Sequence, residues 1–289
     1  MTGFSHVHRW LSSSARRGVH ARRPRSALVL CSLSAVLIGA GAATAESPVA
    51  SQAPHTAHYV ALGDSYASGL GAGSYDSDSG SCKRSIRSYP ALWSAAHRPA
   101  SFAFTACSGA STGDVVSGQL GPLNSSTDLV SITVGANDAG FVDTMTTCSL
   151  QGESACLARI DQARTYIKNT LPGKLDAVYA AVRNKAPHAH VVVLGYPHLY
   201  KLNGSCIEGL TEKSRAAVDA AADDLNGVTA RRAAGHRFAF GDVNATFADH
   251  ELCSGSPWLH SVTYPLDESY HPTAAGQADG YLPVLGTAA

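Results

Sequence analysis

The chain has no Cys-x-x-Cys pair, so its cysteines lack the usual spacing of a structural zinc site. It has no Gly-x-x-x-x-Gly-Lys phosphate loop and no Gly-x-Gly-x-x-Gly fingerprint, so nothing predicts a nucleotide site. From Glu46 onward there is no internal repeat, no low-complexity linker and no apolar run long enough to span a membrane. An excess of basic residues is missing too. Basic and acidic residues number 22 each, but six arginines (Arg9, Arg16, Arg17, Arg22, Arg23, Arg25) stand in the first 25 residues, where there is no acid. From Glu46 onward 16 basic residues face 22 acidic ones, which excludes the basic stripe of a nucleic-acid binder.

The arginine-rich start is followed by an uncharged stretch with an apolar centre at residues 27–38 and by Ala43-Thr44-Ala45. That order is the order of a secretory signal peptide, here residues 1–45, and residues 46–57 read as a loose leader. The apolar centre is too short to anchor the chain, and Leu30 before Cys31 argues against a lipoprotein. Removing the signal leaves six cysteines: Cys82, Cys107, Cys148, Cys156, Cys206 and Cys253. An even number in an exported chain predicts three disulfides. Sequence leaves their connectivity open, and pairing neighbours in order is the expected choice.

Residues 58–289 are long enough for one substantial domain. Five short apolar runs, 58–62, 101–106, 128–134, 190–195 and 237–241, read as strands. They are continuous rather than alternating, as in a parallel sheet covered on both faces. Helical patterns alternate with them at 89–97, 113–120, 157–185 (interrupted by Pro172), 211–234 (capped by Thr211 and stopped near Gly235) and 273–282. The expected fold is a three-layer α/β/α domain around a mostly parallel five-stranded sheet. Active groups in such sheets gather at the carboxyl ends of the strands.

Four segments carry candidate chemistry. Gly63-Asp64-Ser65-Tyr66 ends the first strand, where a hydroxyl would turn out of the sheet. Ser108-Gly109-Ala110-Ser111-Thr112 follows the second strand, and a glycine there can offer its N–H to an oxyanion. Gly135-Ala136-Asn137-Asp138 follows the third, with side-chain amide donors on Asn137. His271-Pro272 near the other end supplies the base that a serine nucleophile needs. Each alone reads as well as a polar turn; together and in this order they do not.

As a set, Gly-Asp-Ser-Tyr, Ser-Gly-x-x-Thr, Gly-x-Asn-Asp and His-Pro-x-x-Ala-Gly resemble the four sequence blocks of the SGNH hydrolases, the GDSL lipase/esterase family, whose fold is flavodoxin-like. The six cysteines and Pro257-Trp258-Leu259 look similar to those of secreted actinomycete lipases, esterases and phospholipases. The resemblance implies Ser65 as nucleophile and His271 as general base. It implies an oxyanion hole from the Ser65 and Gly109 N–H groups and the Asn137 amide. It implies an ester or lipid substrate; no metal or cofactor, no nucleic acid, no stable membrane insertion and a monomeric state are the accompanying expectations. The family's acid lies three residues before the histidine. Here that position is Glu268 rather than aspartate, and whether its carboxylate or a backbone carbonyl orients the imidazole stays open.

Gly109-Ala110-Ser111-Thr112-Gly113 also fits the Gly-x-Ser-x-Gly elbow of α/β-hydrolases, which makes Ser111 a rival nucleophile. Gly69, Gly71 and Gly73 read as a flexible loop, and 71–88, 139–156 and 253–270 as the loops that wall the substrate. The expected function is a secreted fatty-acyl ester hydrolase. Alternatives are a carbohydrate acetyl esterase and a silent binding protein.

Overall fold

The structure, a computed structural model, describes residues 56–206 and 209–289. The expected signal peptide, residues 1–45, and the expected leader up to residue 55 lie outside the described residues. Five strands form one sheet: β1 His58–Gly63, β2 Ser101–Phe104, β3 Leu129–Thr133, β4 His190–Leu194 and β5 Ala239–Gly241. Their order is β2-β1-β3-β4-β5, and every pairing is parallel. The sheet is thus wholly parallel. β3 is buried at all five positions, as a strand covered on both faces must be.

Six helices of seven or more residues accompany the sheet among the described residues: α1 Tyr89–His97, α2 Phe141–Leu150, α3 Gly152–Asn169, α4 Leu171–Lys185, α5 Glu212–Gly235 and α6 Leu282–Ala288. α1 and α6 touch each other; α3, α4 and α5 touch one another, and α5 rests on β4 and β5. Local chemistry sets the ends. Ser88 and Thr211 cap α1 and α5 by accepting from the Ala91 and Ser214 N–H groups. Pro172 stands in the first turn of α4, where its missing N–H costs nothing, and the chain breaks just before it at Thr170.

Two expectations need correction. Residues 139–156 are not a loop: they form α2 and the start of α3. Thr144, Met145 and Cys148 recur at helical spacing and are buried, a period that outweighs the Ser and Gly content. The predicted helices at 113–120 and 273–282 are largely π turns, Val115–Gln119 and Gly276–Tyr281, and the closing helix α6 begins only at Leu282. The cysteines pair as neighbours, Cys82–Cys107, Cys148–Cys156 and Cys206–Cys253.

After β1 the chain moves outward to β2 and then crosses back to β3 on the other side. The connections therefore diverge at β1 and β3 and leave a crevice at their carboxyl ends, the place where such sheets bind ligands.

Candidate active site

Ser65 opens a four-residue helical turn at the end of β1. Gly63 makes the sharp exit possible: it sits at φ +127°, and a Cβ there would lie 2.4 Å from the Thr133 carbonyl oxygen of β3. Asp64 caps the turn. Its carboxylate accepts from the Tyr66 N–H at 3.0 Å, the Thr133 hydroxyl at 2.7 Å and the Tyr196 hydroxyl. Burial pushes the Asp64 carboxyl up to about 6, and those hydrogen bonds oppose the shift.

The turns after β1, β2 and β3 are tied together. The Cys107 N–H donates to the Gly63 carbonyl at 2.9 Å, and the Asp64 N–H to the Thr133 carbonyl at 3.0 Å. Asn137 donates from Nδ2 to the Ala110 carbonyl at 3.0 Å. Asp138 accepts from both the N–H and the hydroxyl of Thr112, at 2.8 and 2.6 Å. The second and third candidate segments are thereby locked to each other. Gly109 stands at φ +80° with open space where a Cβ would be. Among the described residues no protein group accepts from its N–H.

His271 arrives from the opposite end of the chain. Its Nε2 lies 2.8 Å from Ser65 Oγ, and its Nδ1 lies 3.0 Å from the Ser269 carbonyl oxygen. A carbonyl only accepts, so Nδ1 carries the hydrogen and Nε2 is the lone-pair nitrogen facing the serine. Burial lowers the imidazole to about 4, against the Ser269 carbonyl and the Asp267 charge, so the ring is neutral at pH 7. The Tyr66 hydroxyl donates to the Tyr270 carbonyl at 2.8 Å and so links the serine turn directly to the histidine loop.

This buried serine–imidazole pair sits at the switch point of a parallel sheet. Residues 61–278 match the model of the GDSL-like lipase/acylhydrolase family. The chain belongs to that family. It is therefore a carboxylic ester hydrolase of the GDSL type. It is 66% identical to a lipase of Streptomyces rimosus over 92% of this chain and 98% of the relative. It is 63% identical to lipase 1 of Streptomyces coelicolor over 91% and 96%. Among solved structures, it superposes with a TM-score of 0.80 on phospholipase A1 from Streptomyces albidoflavus, at 62% identity, covering 81% of this chain and all of that one.

Within this GDSL site, the structure brings some of the expected residues together and not others. Ser65 and His271 are brought into contact, and the Gly109 and Asn137 segments are tied to them as described. Glu268 is not on the imidazole: its carboxylate accepts from the Tyr75 hydroxyl at 2.7 Å, and its carbonyl takes the His271 backbone N–H at 3.2 Å. The carbonyl on the ring is that of Ser269, because Tyr270 adopts φ +65° and turns the chain just before the histidine. Ser111 has no imidazole; it donates to Asp114 at 2.6 Å in a capping box. The glycine loop is not flexible throughout. A Cβ on Gly71 would stand 2.7 Å from the Pro272 carbonyl oxygen and 3.1 Å from His271 Cβ, so this close approach needs glycine.

Sequence reasoning missed three amides that act as surrogate peptide groups. Gln119 accepts from the Gly63 N–H at 2.7 Å and donates to the Gly63 carbonyl at 2.8 Å. Gln277 donates to the Tyr66 carbonyl and accepts from the Tyr89 N–H, and Asn226 grips both backbone groups of Tyr196. No local signal marks them, since each matters only through a distant backbone.

Proposed function

We propose that the chain is a secreted, monomeric lipase-type esterase that hydrolyses fatty-acyl esters through an acyl-enzyme on Ser65. The observation that carries this reading is the 2.8 Å contact between Ser65 Oγ and His271 Nε2, with Nδ1 held on the Ser269 carbonyl. His271 takes the hydroxyl proton as Oγ attacks the ester carbonyl. The developing oxyanion is met by the Ser65 and Gly109 N–H groups and by the Asn137 amide, whose second N–H is not used by Ala110. The intermediate collapses, the C–O bond to the alcohol breaks, and the alcohol leaves with the proton from Nε2. Water then gives a proton to Nε2, attacks the acyl carbon, and releases the acid as Oγ recovers its proton. Glu268 is a positioning residue. Through Tyr75, whose hydroxyl accepts from the Gly71 N–H at 2.9 Å, it steadies the glycine that packs on His271.

A fatty chain is favoured over acetyl by an apolar cavity of about 80 Å³ beside the site, walled by Tyr66, Ala136, Phe141, Met145, Ile160 and Leu225. Tyr66 and Phe141 of its wall also pack against the His271 ring, with centroids 5.3 and 6.2 Å away, so the cavity lies on the far side of the rings that flank the imidazole. Secretion, with residues 1–45 as signal and 58–289 as the hydrolase domain, is supported by the arginine-then-apolar start and the three disulfides. The S. rimosus relative of known structure is described as an extracellular lipase.

The test is hydrolysis of p-nitrophenyl esters from acetyl to palmitoyl by the protein, by Ser65→Ala and by Ser111→Ala. Loss of turnover in Ser65→Ala alone, with a medium or long acyl preference, is expected. An acetyl preference would point to a carbohydrate esterase. Binding without turnover would point to a silent receptor, and turnover by Ser65→Ala would overturn the nucleophile.

A further inference from the structure

Eight large apolar side chains are at least two-fifths exposed among the described residues: Ile86, Val116, Val142, Leu150, Leu202, Val262, Tyr264 and Leu266. Four of them, Val142, Leu150, Val262 and Leu266, are between 59 and 78% exposed and wall a single groove that also contains His271. Tyr264, 91% exposed, stands on the same 262–266 loop. Two separate stretches of chain supply this rim, α2 and the segment between β5 and His271. A cluster of this kind around one groove is not the scattered exposure that any soluble protein shows.

The charge of the same segments narrows the partner. Residues 139–153 carry Asp143 and Glu153, residues 254–272 carry Asp267 and Glu268, and neither segment has a lysine or arginine. The two arginines near these segments are engaged, Arg159 on the Gly140 carbonyl at 3.2 Å and the buried Arg215 on Glu212 at 3.3 Å, so the apolar rim suits an uncharged or zwitterionic surface better than an anionic one, which exposed basic residues would attract. The groove is continuous with the catalytic imidazole, so a surface seated on the rim lies where the ester must enter.

We infer that Val142, Leu150, Val262, Tyr264 and Leu266 form an interfacial docking surface that seats the enzyme on zwitterionic lipid aggregates with its catalytic groove facing the lipid. The inference rests on the fatty-acyl ester reading above and adds to it the physical form of the substrate. Docking would proceed by insertion of the rim into the headgroup boundary, with strength that scales with the apolar area buried.

The experiment separates docking from turnover. The Ser65→Ala protein is sedimented with phosphatidylcholine vesicles, so that no hydrolysis alters the lipid. The same is done with Leu150→Ser/Leu266→Ser and with Tyr264→Ser, each on the Ser65→Ala background. The vesicle partition coefficient is expected to fall by about tenfold or more in the double variant and by a few-fold in Tyr264→Ser. These side chains are exposed, so melting temperatures are expected to stay close to that of the parent. Three results overturn the docking surface. One is no vesicle binding by the parent, and another is equal binding by the parent and the double variant. The third is binding that needs phosphatidylglycerol and disappears in salt. A concentration-dependent dimer that the double variant abolishes, without vesicle binding, would assign the rim to a second copy instead. Turnover of soluble p-nitrophenyl esters by the wild type is measured in parallel, so a failure of the esterase reading is seen as a separate result.

Discussion

Ser65 and His271 reach the same point from two differently built regions. The serine turn is gripped by buried side chains: Gln119 on both backbone groups of Gly63, Gln277 on the Tyr66 carbonyl, and Asp64 on the Tyr66 N–H. The histidine lies in a stretch from Asp242 to Thr273 that holds only a short helix at Asn244–Phe247 and a 3₁₀ turn at Leu266–Glu268. Main chain does most of the gripping there. The His260 N–H donates to the His271 carbonyl, the Tyr270 N–H to the His260 carbonyl, and Leu259 bridges to Pro272. The difference teaches where substitution hurts. One region depends on particular side chains, whereas the other depends on backbone that most substitutions leave in place.

The largest effects test what the two regions share. Ser65→Ala and His271→Ala are each expected to lower kcat on a soluble ester by about 10⁴-fold or more, because the pair acts as a unit. The double variant is expected to lose little beyond either single one. Additive losses would show that the two groups work independently. Next comes Asn137→Ala, expected to cost about 10²- to 10³-fold in kcat with little change in KM, as for one oxyanion donor. A rise in KM at constant kcat would move Asn137 from the oxyanion to ground-state binding.

Much of this was legible before any coordinates. The five strands announced themselves as continuous apolar runs, and Ser65, Gly109 and Asn137 each fell just past one of them. Parallel strands buried on both faces cannot hide their composition. α2 was illegible for the converse reason: its buried face is Thr144, Met145 and Cys148, too polar to stand out against serine and glycine neighbours. The orienting carbonyl of Ser269 could not be found either. Every residue has a carbonyl, and only the φ +65° of Tyr270 decides which one meets the ring. The amide clamps failed for a third reason, since Gln119 is 56 residues from the glycine it holds.

A middle-sized effect sharpens the contrast between side-chain and main-chain support. Gln119→Met keeps the volume but leaves the buried Gly63 N–H unpaired and its carbonyl with the Cys107 N–H alone. It is expected to lower stability by about 1–3 kcal/mol in urea unfolding and kcat by roughly tenfold. Ser269→Ala removes a hydroxyl that bonds Thr263 but not the carbonyl on His271, and it is expected to keep kcat within about threefold. Glu268→Ala should fall between them, well short of His271→Ala. A loss equal to that of His271→Ala would mean that the carboxylate reaches the imidazole during turnover after all.

The smallest net effect is a matter of sign. Asp64 and His271 are both buried, and burial moves them in opposite senses: Asp64 from 3.8 up to about 6, His271 from 6.5 down to about 4. For Asp64 the folded state holds its proton more tightly than the unfolded state. Its contribution is therefore full below about pH 3.8 and is lost as pH rises through about 6. For His271 the unfolded state holds the proton more tightly. Its contribution is full above about pH 6.5 and is lost as pH falls through about 4. Shifts of this size each amount to about 3 kcal/mol, so between about pH 4 and 6.5 the two nearly cancel. Relative to the wild type, Asp64→Asn should become progressively less stable as pH falls through that window, whatever the variant loses at pH 7. His271→Ala should become progressively more stable. Thermal melts of the three proteins at several pH values read the slopes directly. Parallel slopes would mean that the folded site does not hold the two protons in opposite ways, and that the neutral imidazole facing Ser65 is not secured by its burial.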